Sequence, residues 1–124
     1  MSARVLSGLD LVEIERFRQL NAAIRVRFYE RVFSAGERAH IGDSFQRAAG
    51  LFAAKEAAVK ALGCGIGPVS WQEIGVHYSL DGQPELELSG AAAELARQAG
   101  ISSWSLSITH TRQVAAAVAV ALVD

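Results

Sequence analysis

The chain has 124 residues, of which 51% are hydrophobic, and its formal net charge is −1. A chain of this length can build one compact domain with a modest core, and its near neutrality argues against a globally basic nucleic-acid-binding protein. No apolar run approaches the roughly 18 residues that a membrane span needs, so we expect a soluble protein that recognises its partners through local patches.

Cysteine content and the first residues bear on the cellular compartment. Cys64 is the only cysteine and therefore cannot form an internal disulfide. No neighbouring base in the sequence marks its thiol as activated, and the opening residues lack the pattern of a signal peptide. We expect a cytoplasmic protein. Because repeats, low-complexity tracts and linkers are absent from the sequence, we expect a single domain over residues 1–124.

The first third of the chain is predicted to form a strand and three helices. The apolar run over residues 4–11 predicts a buried strand, and the polar run over residues 13–21 predicts a helix. A second helix is predicted over residues 24–33. Ser34 and Glu37 then have the spacing of a capping box, which indicates a third, short helix.

The longest predicted helix covers residues 44–62 and ends at Gly63, where a glycine C-cap is expected. After it, "IGVHYSL" and "QPELELS" alternate as strands do, and the Asp81–Gly82 dipeptide between them suits a type I′ hairpin turn.

The chain closes with one more predicted helix and two strands. The helix covers residues 91–99 and stops at Gly100, and "SWSLSITHT" alternates apolar residues with serine and threonine. The last run, "VAAAVAVALV", also reads as a strand. The element order predicts an α+β domain with a mainly antiparallel sheet and a long central helix, rather than a regular βαβ series.

Three charges interrupt the alanine-rich long helix. Phe52, Glu56 and Lys60 are four residues apart and share one stripe. The ordinary interpretation is a Glu–Lys pair on a solvated face. The surrounding residues are nearly all apolar, however, so part of this helix should be packed, and a carboxylate near a packed surface needs a compensating cation.

Asp10 is a lone carboxylate in the apolar stretch "VLSGLDLV", and its ordinary interpretation is a cap at a strand end. If both ordinary interpretations fail, Asp10 and Glu56 are two oxygen ligands on different elements. Mg²⁺ is often bound in this way when a substrate phosphate and water fill its other positions. Gly8 in the same stretch would let another backbone or a ligand come close.

Three stretches together resemble the holo-[acyl-carrier-protein] synthases, the short 4′-phosphopantetheinyl transferases. "GLDLVEIERF" resembles the family's N-terminal signature, "FAAKEAAVKALGCGIG" its second signature, and "SLSITHT" its histidine-bearing strand. The resemblance extends over nearly the whole chain in the family's order. It implies transfer of the 4′-phosphopantetheine arm of coenzyme A to a serine of an acyl carrier protein, with release of 3′,5′-ADP.

The resemblance also implies roles for the charged residues. Asp10 and Glu56 match the family's Mg²⁺ ligands, and either Glu56 or a metal-bound water would accept the serine proton. Lys60 would stabilise the departing phosphate oxygen, whereas Lys55 would touch a ribose phosphate or solvent.

Further residues match positions that contact coenzyme A in the family. His110 and Thr111 match its histidine-bearing strand, and Gly63 and Gly65 fit a loop whose backbone approaches the nucleotide closely. Taken alone, His110 would usually be a hydrogen-bonded structural residue, and the two glycines could belong to any helix C-cap.

Two positions depart from the family's pattern. Leu51 replaces an arginine that many members carry, and Cys64 replaces a residue that is often threonine. Arg47, one turn upstream of Leu51 on the predicted helix, is a candidate to replace the missing phosphate contact.

A local excess of arginine suggests where a carrier protein would bind. Arg16, Arg18, Arg25, Arg27 and Arg31 crowd one segment in which Glu30 is the only acid after Glu15. A solvated helix pair is the simple explanation, but acyl carrier proteins are acidic and a basic helix would orient them. The resemblance makes Arg16 the best single candidate, followed by Arg18 and Arg27.

By resemblance to short members of the family, we expect a homotrimer with active sites between subunits. Asp10, Glu56 and Lys60 would come from one chain and His110 and Thr111 from its neighbour, with the edge of the C-terminal strands closing the ring. Two other functions stay open: a Mg²⁺-dependent pyrophosphate hydrolase of coenzyme A or a related nucleotide, and a non-catalytic module that binds coenzyme A or a carrier protein. The sequence also leaves open whether the carrier serves fatty-acid, polyketide or peptide synthesis.

Overall fold

The computed structural model describes residues 3–124. In chain order its elements are β1 (Arg4–Glu13), α1 (Glu15–Arg18), α2 (Ala22–Val32), α3 (Ala35–Ile41), α4 (Phe45–Leu62), a 3₁₀ turn (Trp71–Glu73), β2 (Ile74–Tyr78), β3 (Pro84–Leu88), α5 (Gly90–Gln98), β4 (Ile101–His110) and β5 (Val114–Val123).

The strands form two antiparallel sheets. One has three strands in the order β1–β5–β4, and the other is the β2–β3 hairpin. This arrangement confirms the predicted α+β class with antiparallel sheets and a long helix. Within residues 3–124, no helix is both long and apolar enough to span a bilayer.

Helix α4 packs across the three-stranded sheet through small side chains. Its alanines Ala53, Ala57 and Ala61 are buried, and the inward face of β5 is also built of alanine, from Ala115 to Ala121 in alternation. Small residues on both sides let the two backbones approach closely. The approach is closest at Gly8 of β1, where an added Cβ would lie 1.8 Å from the carbonyl oxygen of Ala57. Gly8 therefore admits another backbone.

On the opposite face of the three-stranded sheet, β1 and β5 expose apolar side chains, whereas β4 presents serines. Val5, Leu9 and Leu11 of β1 are each more than 60% exposed. In the antiparallel register Val5 pairs with Leu122 and Leu9 with Val118 of β5, and Val120 lies on the same face between them. Alternation along each strand thus produces one face for α4 and a second apolar face that residues 3–124 leave uncovered.

The first predicted helix, over residues 13–21, is wrong in both bounds. Pairing with β5 continues to Glu13, and the backbone N–H of Ile14 still donates to the carbonyl of Gln113 at 2.9 Å. Helix α1 keeps only four residues. Asn21 belongs to the next helix as its N-cap, since its side chain accepts from the N–H of Ile24 at 3.0 Å.

Two predicted helix signals are confirmed by the backbone. Ser34 and Glu37 form the reciprocal capping box at the start of α3. Ser44 caps α4 by accepting from the N–H of Arg47 at 3.0 Å, and Gly63 ends the helix in the left-handed conformation at φ 75°.

The predicted hairpin is confirmed, but its type I′ turn is wrong. A type I′ turn needs positive φ at both central residues, whereas Gly82 is positive at 80° and Asp81 is not. Ser79 donates to the carbonyl of Gln83 at 2.9 Å, and Gly82 donates to that of Ser79 at 2.8 Å. The loop therefore holds three residues and ends on a left-handed glycine, which suits the twist of the strands equally well.

Candidate functional site

Asp10, Glu56 and Lys60 meet where the middle of β1 faces the second half of α4. The ammonium group of Lys60 donates to Oδ1 of Asp10 at 3.0 Å and to the carbonyl oxygen of Leu9 at 3.0 Å. The Asp10 side chain is 15% exposed and that of Lys60 53% exposed. The cluster is thus held by the protein on one side and open to solvent on the other.

Neither ordinary interpretation of the two carboxylates holds in the structure. Asp10 lies inside the ten-residue strand β1 and not at its end, and it binds Lys60 across the sheet–helix interface. Among the ion pairs within residues 3–124, Lys60 is joined to Asp10 and not to Glu56. The predicted surface pair along the helix is therefore replaced by a contact between two elements.

The environment of Glu56 disfavours its negative charge. Burial raises the pKa of its carboxyl group, the nearby charge of Asp10 raises that pKa further, and Lys60 opposes both effects. Two carboxylates that repel each other beside a packed surface would both be stabilised by a divalent cation.

The donor set fits Mg²⁺ bound together with a substrate. Asp10 and Glu56 offer hard carboxylate oxygens on two elements, and no third histidine, cysteine or carboxylate joins them as a metal-binding group within residues 3–124. Mg²⁺ keeps near-octahedral coordination. Its remaining positions would therefore fall to substrate oxygens and water.

The prediction that Lys55 touches a ribose phosphate or solvent is wrong. Its side chain is fully buried, and its Nζ lies 2.9 Å from Oε1 of Glu37. The same ammonium donates to the carbonyl oxygens of Trp71 at 3.1 Å and of Ile74 at 2.7 Å. Burial lowers the pKa of Lys55, while Glu37 acts in the opposite direction. All three ammonium protons have partners, so none is left for a phosphate.

Sequence reasoning identified Glu37 as a helix cap but missed its second function. Oε1 accepts from the N–H of Ser34 as the capping box predicts, and Oε2 accepts from the N–H of Val76 at 2.8 Å. The residue is 4% exposed. The capping spacing signalled the first contact, but nothing local could signal the partner 39 residues away.

His110 lies at the far end of α4 from Glu56. Its Nδ1 is 3.2 Å from Nε2 of Gln46, and Gln46 precedes Glu56 by ten residues, which is about 15 Å along a helix. Thr111 holds the turn after β4, since its Oγ1 accepts from the N–H groups of Gln113 and Val114 at 3.3 and 3.1 Å. Within one chain, the predicted residues therefore form two separate groups.

A cavity of about 220 Å³ lies beside His110. Its lining residues come from α4, the β2–β3 hairpin and β4: Gln46, Arg47, Gly50, Tyr78, Gly82, Pro84, Ile108, Thr109 and His110. Arg47 brings a guanidinium to the cavity and also donates to the carbonyl of His40 at 3.2 Å. Leu51 lines a different cavity and is 1% exposed. The cation that lines the cavity beside His110 is therefore Arg47, and the side chain at position 51 lies elsewhere.

The loop of residues 63–65 after α4 has the features of an ordinary helix end. Gly63 serves as the C-cap, and an added Cβ at Gly65 would meet nothing within 4 Å. Cys64 between them is free and partly buried, and burial raises the pKa of its thiol. A raised pKa keeps the thiol protonated, which agrees with a structural residue and not with a nucleophile.

The arginine-rich segment is divided between two surfaces. Arg16 lines an apolar pocket of about 130 Å³ together with Phe17, Leu20, Phe28 and Phe52. The guanidinium groups of Arg18 and Arg25 lie 5.6 and 5.3 Å from the centre of the Phe45 ring, and Arg18 also pairs with Glu15. Arg27 is exposed on α2.

Comparison with known proteins identifies the family. Residues 7–120 match the model of the 4′-phosphopantetheinyl transferase superfamily. A holo-[acyl-carrier-protein] synthase of Carboxydothermus hydrogenoformans is 39% identical over 117 residues, which cover 92% of this chain and 94% of the relative. One of Verminephrobacter eiseniae is 43% identical over 117 residues, covering 90% and 88%.

Solved structures agree with the sequence relatives. The Helicobacter pylori holo-[acyl-carrier-protein] synthase in complex with coenzyme A superposes with a TM-score of 0.84 at 35% identity, covering 94% of this chain and 99% of that one. The Bacillus anthracis synthase in complex with CoA (3′,5′-ADP) gives 0.78 at 30% identity, covering 99% and 100%. The chain belongs to the holo-[acyl-carrier-protein] synthase family of the 4′-phosphopantetheinyl transferase superfamily.

Proposed function

We propose that this protein transfers 4′-phosphopantetheine from coenzyme A to a serine of an apo acyl carrier protein in a Mg²⁺-dependent reaction. The serine oxygen forms a bond to the phosphorus of the phosphopantetheine arm. The bond from that phosphorus to the bridging oxygen breaks, and this oxygen leaves on 3′,5′-ADP. The observation that carries the proposal is the cluster of Asp10, Glu56 and Lys60 on two elements, open to solvent on one side.

Each residue of the cluster has a distinct task in this reaction. Asp10 and Glu56 would hold Mg²⁺, which when bound neutralises charge on the pyrophosphate oxygens. Either Glu56 or a water bound to the metal beside it is the candidate proton acceptor for the serine hydroxyl. Lys60 donates two ammonium protons to Asp10 and Leu9, and it can donate the third to a phosphate oxygen.

Intact-mass spectrometry tests the proposed activity. Apo carrier protein incubated with the enzyme, coenzyme A and Mg²⁺ should gain the mass of one phosphopantetheine group, with 3′,5′-ADP as the second product. Free phosphopantetheine without modified carrier would instead identify a hydrolase. Binding of coenzyme A or carrier without turnover would identify a non-catalytic module. Because carriers of fatty-acid, polyketide and peptide synthesis share the acceptor serine, each type should be assayed.

The free Cys64 thiol suits the cytoplasm, where we place the reaction.

The cavity beside His110 is proposed to bind the phosphorylated nucleoside of coenzyme A. Arg47 and His110 line it, and its lining includes no carboxylate. A guanidinium and an imidazole without a nearby acid suit a phosphate monoester. Arg47 would thereby replace the arginine that many members of the family carry at position 51, where this chain has a buried leucine.

The carrier protein is proposed to dock beside Arg16. The pocket that Arg16 lines is walled by the mutually contacting rings of Phe17, Phe28 and Phe52, with centroids 5.6 to 5.9 Å apart. Phe52 lies one helical turn before Glu56 on the same stripe. An acidic carrier helix with one apolar side chain could thus meet both the arginine and the pocket while its serine reaches Glu56. Arg27 and Arg18 would extend the basic surface, although Arg18 is partly engaged by Glu15.

Two arginine variants should separate the two binding sites. Arg16→Ala should raise the KM for carrier protein about 5- to 10-fold, the effect of losing one charge-assisted contact, and should leave the KM for coenzyme A unchanged. Arg47→Ala should raise the KM for coenzyme A and leave the KM for carrier protein unchanged. Steady-state kinetics with each substrate varied in turn would measure both constants, and each variant serves as the control for the other. If Arg16→Ala weakens only coenzyme A, the docking surface is assigned to the wrong ligand.

The protein is proposed to form a homotrimer through the uncovered apolar face of its three-stranded sheet. Val5, Leu9 and Leu11 would be buried in that interface together with the outward valines of β5. The sheet order limits the expected contact through the edge of the C-terminal strands: β5 lies between β1 and β4, so within residues 3–124 the edge that these strands offer is the outer edge of β4. The exposed apolar face is the contact that we propose. Sites shared between chains are supported because Gln46, the hydrogen-bond partner of His110, lies about 15 Å from Glu56 along α4.

Mixing two inactive variants should restore activity if the sites are shared. Glu56→Ala and His110→Ala should each be strongly impaired, and co-expression should produce some sites with both lesions and others with neither. Partial recovery in mixed trimers is expected, with light scattering used to verify the trimer. A site confined to one chain predicts no recovery, and a stable active monomer would overturn the shared arrangement.

A further inference from the structure

A buried ion pair adjoins the proposed site, although it has no task in the proposed chemistry. We call Glu37 and Lys55, with Oε1 and Nζ 2.9 Å apart, the buried pair. Lys55 is 0% exposed and Glu37 4% exposed. Their side chains also bond four backbone groups: the N–H groups of Ser34 and Val76, and the carbonyls of Trp71 and Ile74.

The buried pair is poorly explained as a source of stability. Two charges removed from water lose much of their hydration energy, and an apolar pair of similar volume often gives equal or greater stability. A buried pair with directional partners does, however, fix the geometry of the elements it joins. This pair joins the start of α3, the start of β2 and the middle of α4.

The opposite side of α4 packs on the sheet mainly through small side chains. There the alanines of the helix meet β1 and β5, with Gly8 at the closest approach, and Lys60 adds two bonds to β1 near the end of the helix. Small side chains allow close approach, but they interlock less than large ones and resist sliding and rotation of a helix less. The three directed bonds of Lys55 can resist both motions because each weakens when its angle or length changes.

Lys55 is the residue immediately before Glu56. The bonds that fix Lys55 therefore also fix the direction in which the Glu56 side chain projects from the helix. A rotation of α4 would swing the Glu56 carboxylate away from Asp10, which lies on β1 and would not follow. Asp10 lies on the strand and Glu56 on the helix. The two carboxylates can bind one cation only if β1 and α4 keep a fixed position relative to each other.

We propose that the buried pair fixes the position of α4 along its axis and its rotation about that axis, so that Glu56 and Asp10 can bind one divalent cation together. The inference rests on the proposed function for its metal and its reaction. It assigns to Glu37 and Lys55 an action through Glu56, without contact to substrate.

The experiment replaces both charges together in the full chain, as Glu37→Leu with Lys55→Met, so that neither charge is left unpaired. Mn²⁺ is the probe, and its binding is measured by electron paramagnetic resonance with and without coenzyme A. Mn²⁺ affinity should fall about 10- to 100-fold, the range for loss of residues that orient metal ligands. The kcat for carrier modification should fall with it, and the KM for coenzyme A should change little.

Two controls separate positioning from general stability. Glu94→Gln with Arg97→Met removes an exposed ion pair on α5 and should leave Mn²⁺ affinity and kcat unchanged. Val32→Ala opens a cavity in the core on α2. At a matched loss of melting temperature, it should keep Mn²⁺ affinity where the buried-pair variant loses it.

Failure of this inference differs from failure of the proposed function. A wild-type protein that modifies no carrier contradicts the proposed function, whereas the Mn²⁺ measurement still tests positioning. A double variant with wild-type Mn²⁺ affinity and kcat overturns the inference. If the double variant does not fold, Lys55→Arg, which keeps the charge and changes the direction of its donors, replaces it. Wild-type Mn²⁺ affinity and kcat in folded Lys55→Arg would overturn the inference equally.

Discussion

Glu56→Gln is expected to lower the kcat for transfer about 10²- to 10⁴-fold, the range typical for loss of a catalytic acid, base or electrostatic contact. Glutamine is nearly isosteric with glutamate, but it carries no negative charge for Mg²⁺ and cannot accept the serine proton. Asp10→Asn should act in the same direction, because it removes the second charge and weakens the contact with Lys60. The rate is measured from intact carrier mass with Mg²⁺ in excess.

The stability of metal-free Glu56→Gln should not fall with its activity. Burial and Asp10 raise the pKa of Glu56 in the folded protein, so the folded state takes up a proton more readily than the unfolded state. The ionised carboxylate is therefore destabilising above the folded pKa, and this cost disappears as pH falls below the unfolded pKa. Thermal melts should show Glu56→Gln equal to or slightly more stable than wild type at pH 8, with the difference shrinking toward pH 4.

Glu13→Gln is the matched control for these variants. Glu13 ends the same strand as Asp10, is exposed, and lies outside the Asp10–Glu56–Lys60 cluster, so its replacement should leave the rate unchanged. A near wild-type rate for Glu56→Gln or Asp10→Asn with Mg²⁺ present would contradict the shared-metal proposal.

Features that depend on local sequence were predictable. Ser44 and Gly63 marked both ends of α4, and the Ser34–Glu37 spacing marked the start of α3, because capping is a contact between residues three or four apart. The pairing of the two hairpin strands also followed from their alternation. The turn type did not, since the Asp–Gly dipeptide is compatible with both two- and three-residue loops.

Features that depend on distant contacts were missed. The first helix was predicted too long because pairing with β5 extends β1 to Glu13, and that partner lies about a hundred residues further along the chain. The sequence predicts that Lys55 touches a ribose phosphate or solvent, but Lys55 and Lys60 differ in their surroundings. The face that each lysine occupies is set by tertiary packing, which buries Lys55 against Glu37 and leaves Lys60 at the open cluster.

For the candidate site, residue type and resemblance identified the cluster and the structure supplied its geometry. Asp10 and Glu56 stood out because each is a carboxylate in an apolar stretch. Their approach could not be read from the sequence, since it requires β1 and α4 to pack side by side. The residue that permits this packing is Gly8, two positions before Asp10 on the same face of β1.

Gly8→Ala is expected to cause the largest loss of stability among the variants considered. The added Cβ would lie 1.8 Å from the carbonyl oxygen of Ala57, 2.8 Å from the backbone nitrogen of Ala61 and 2.9 Å from the carbonyl carbon of Ala57. All three atoms belong to the backbone of α4, so no side chain can rotate away. The strand or the helix must move, and the cost should be at the upper end of overpacking, about 3 kcal/mol or more.

A shift of β1 from α4 would also separate Asp10 from Glu56. Gly8→Ala should therefore lose transfer activity even at temperatures where it stays folded, and its melting temperature should fall by about 10 °C or more. Gly36→Ala is the matched control. Gly36 lies inside α3 without positive φ, and an added Cβ there meets nothing within 4 Å. Because alanine favours the helix, this change should be neutral or stabilise by about 0.5–1 kcal/mol. Calorimetry and carrier modification at 15 °C would measure both effects. A Gly8→Ala protein with wild-type melting temperature and activity would show that the approach of β1 to α4 does not set the geometry of the site.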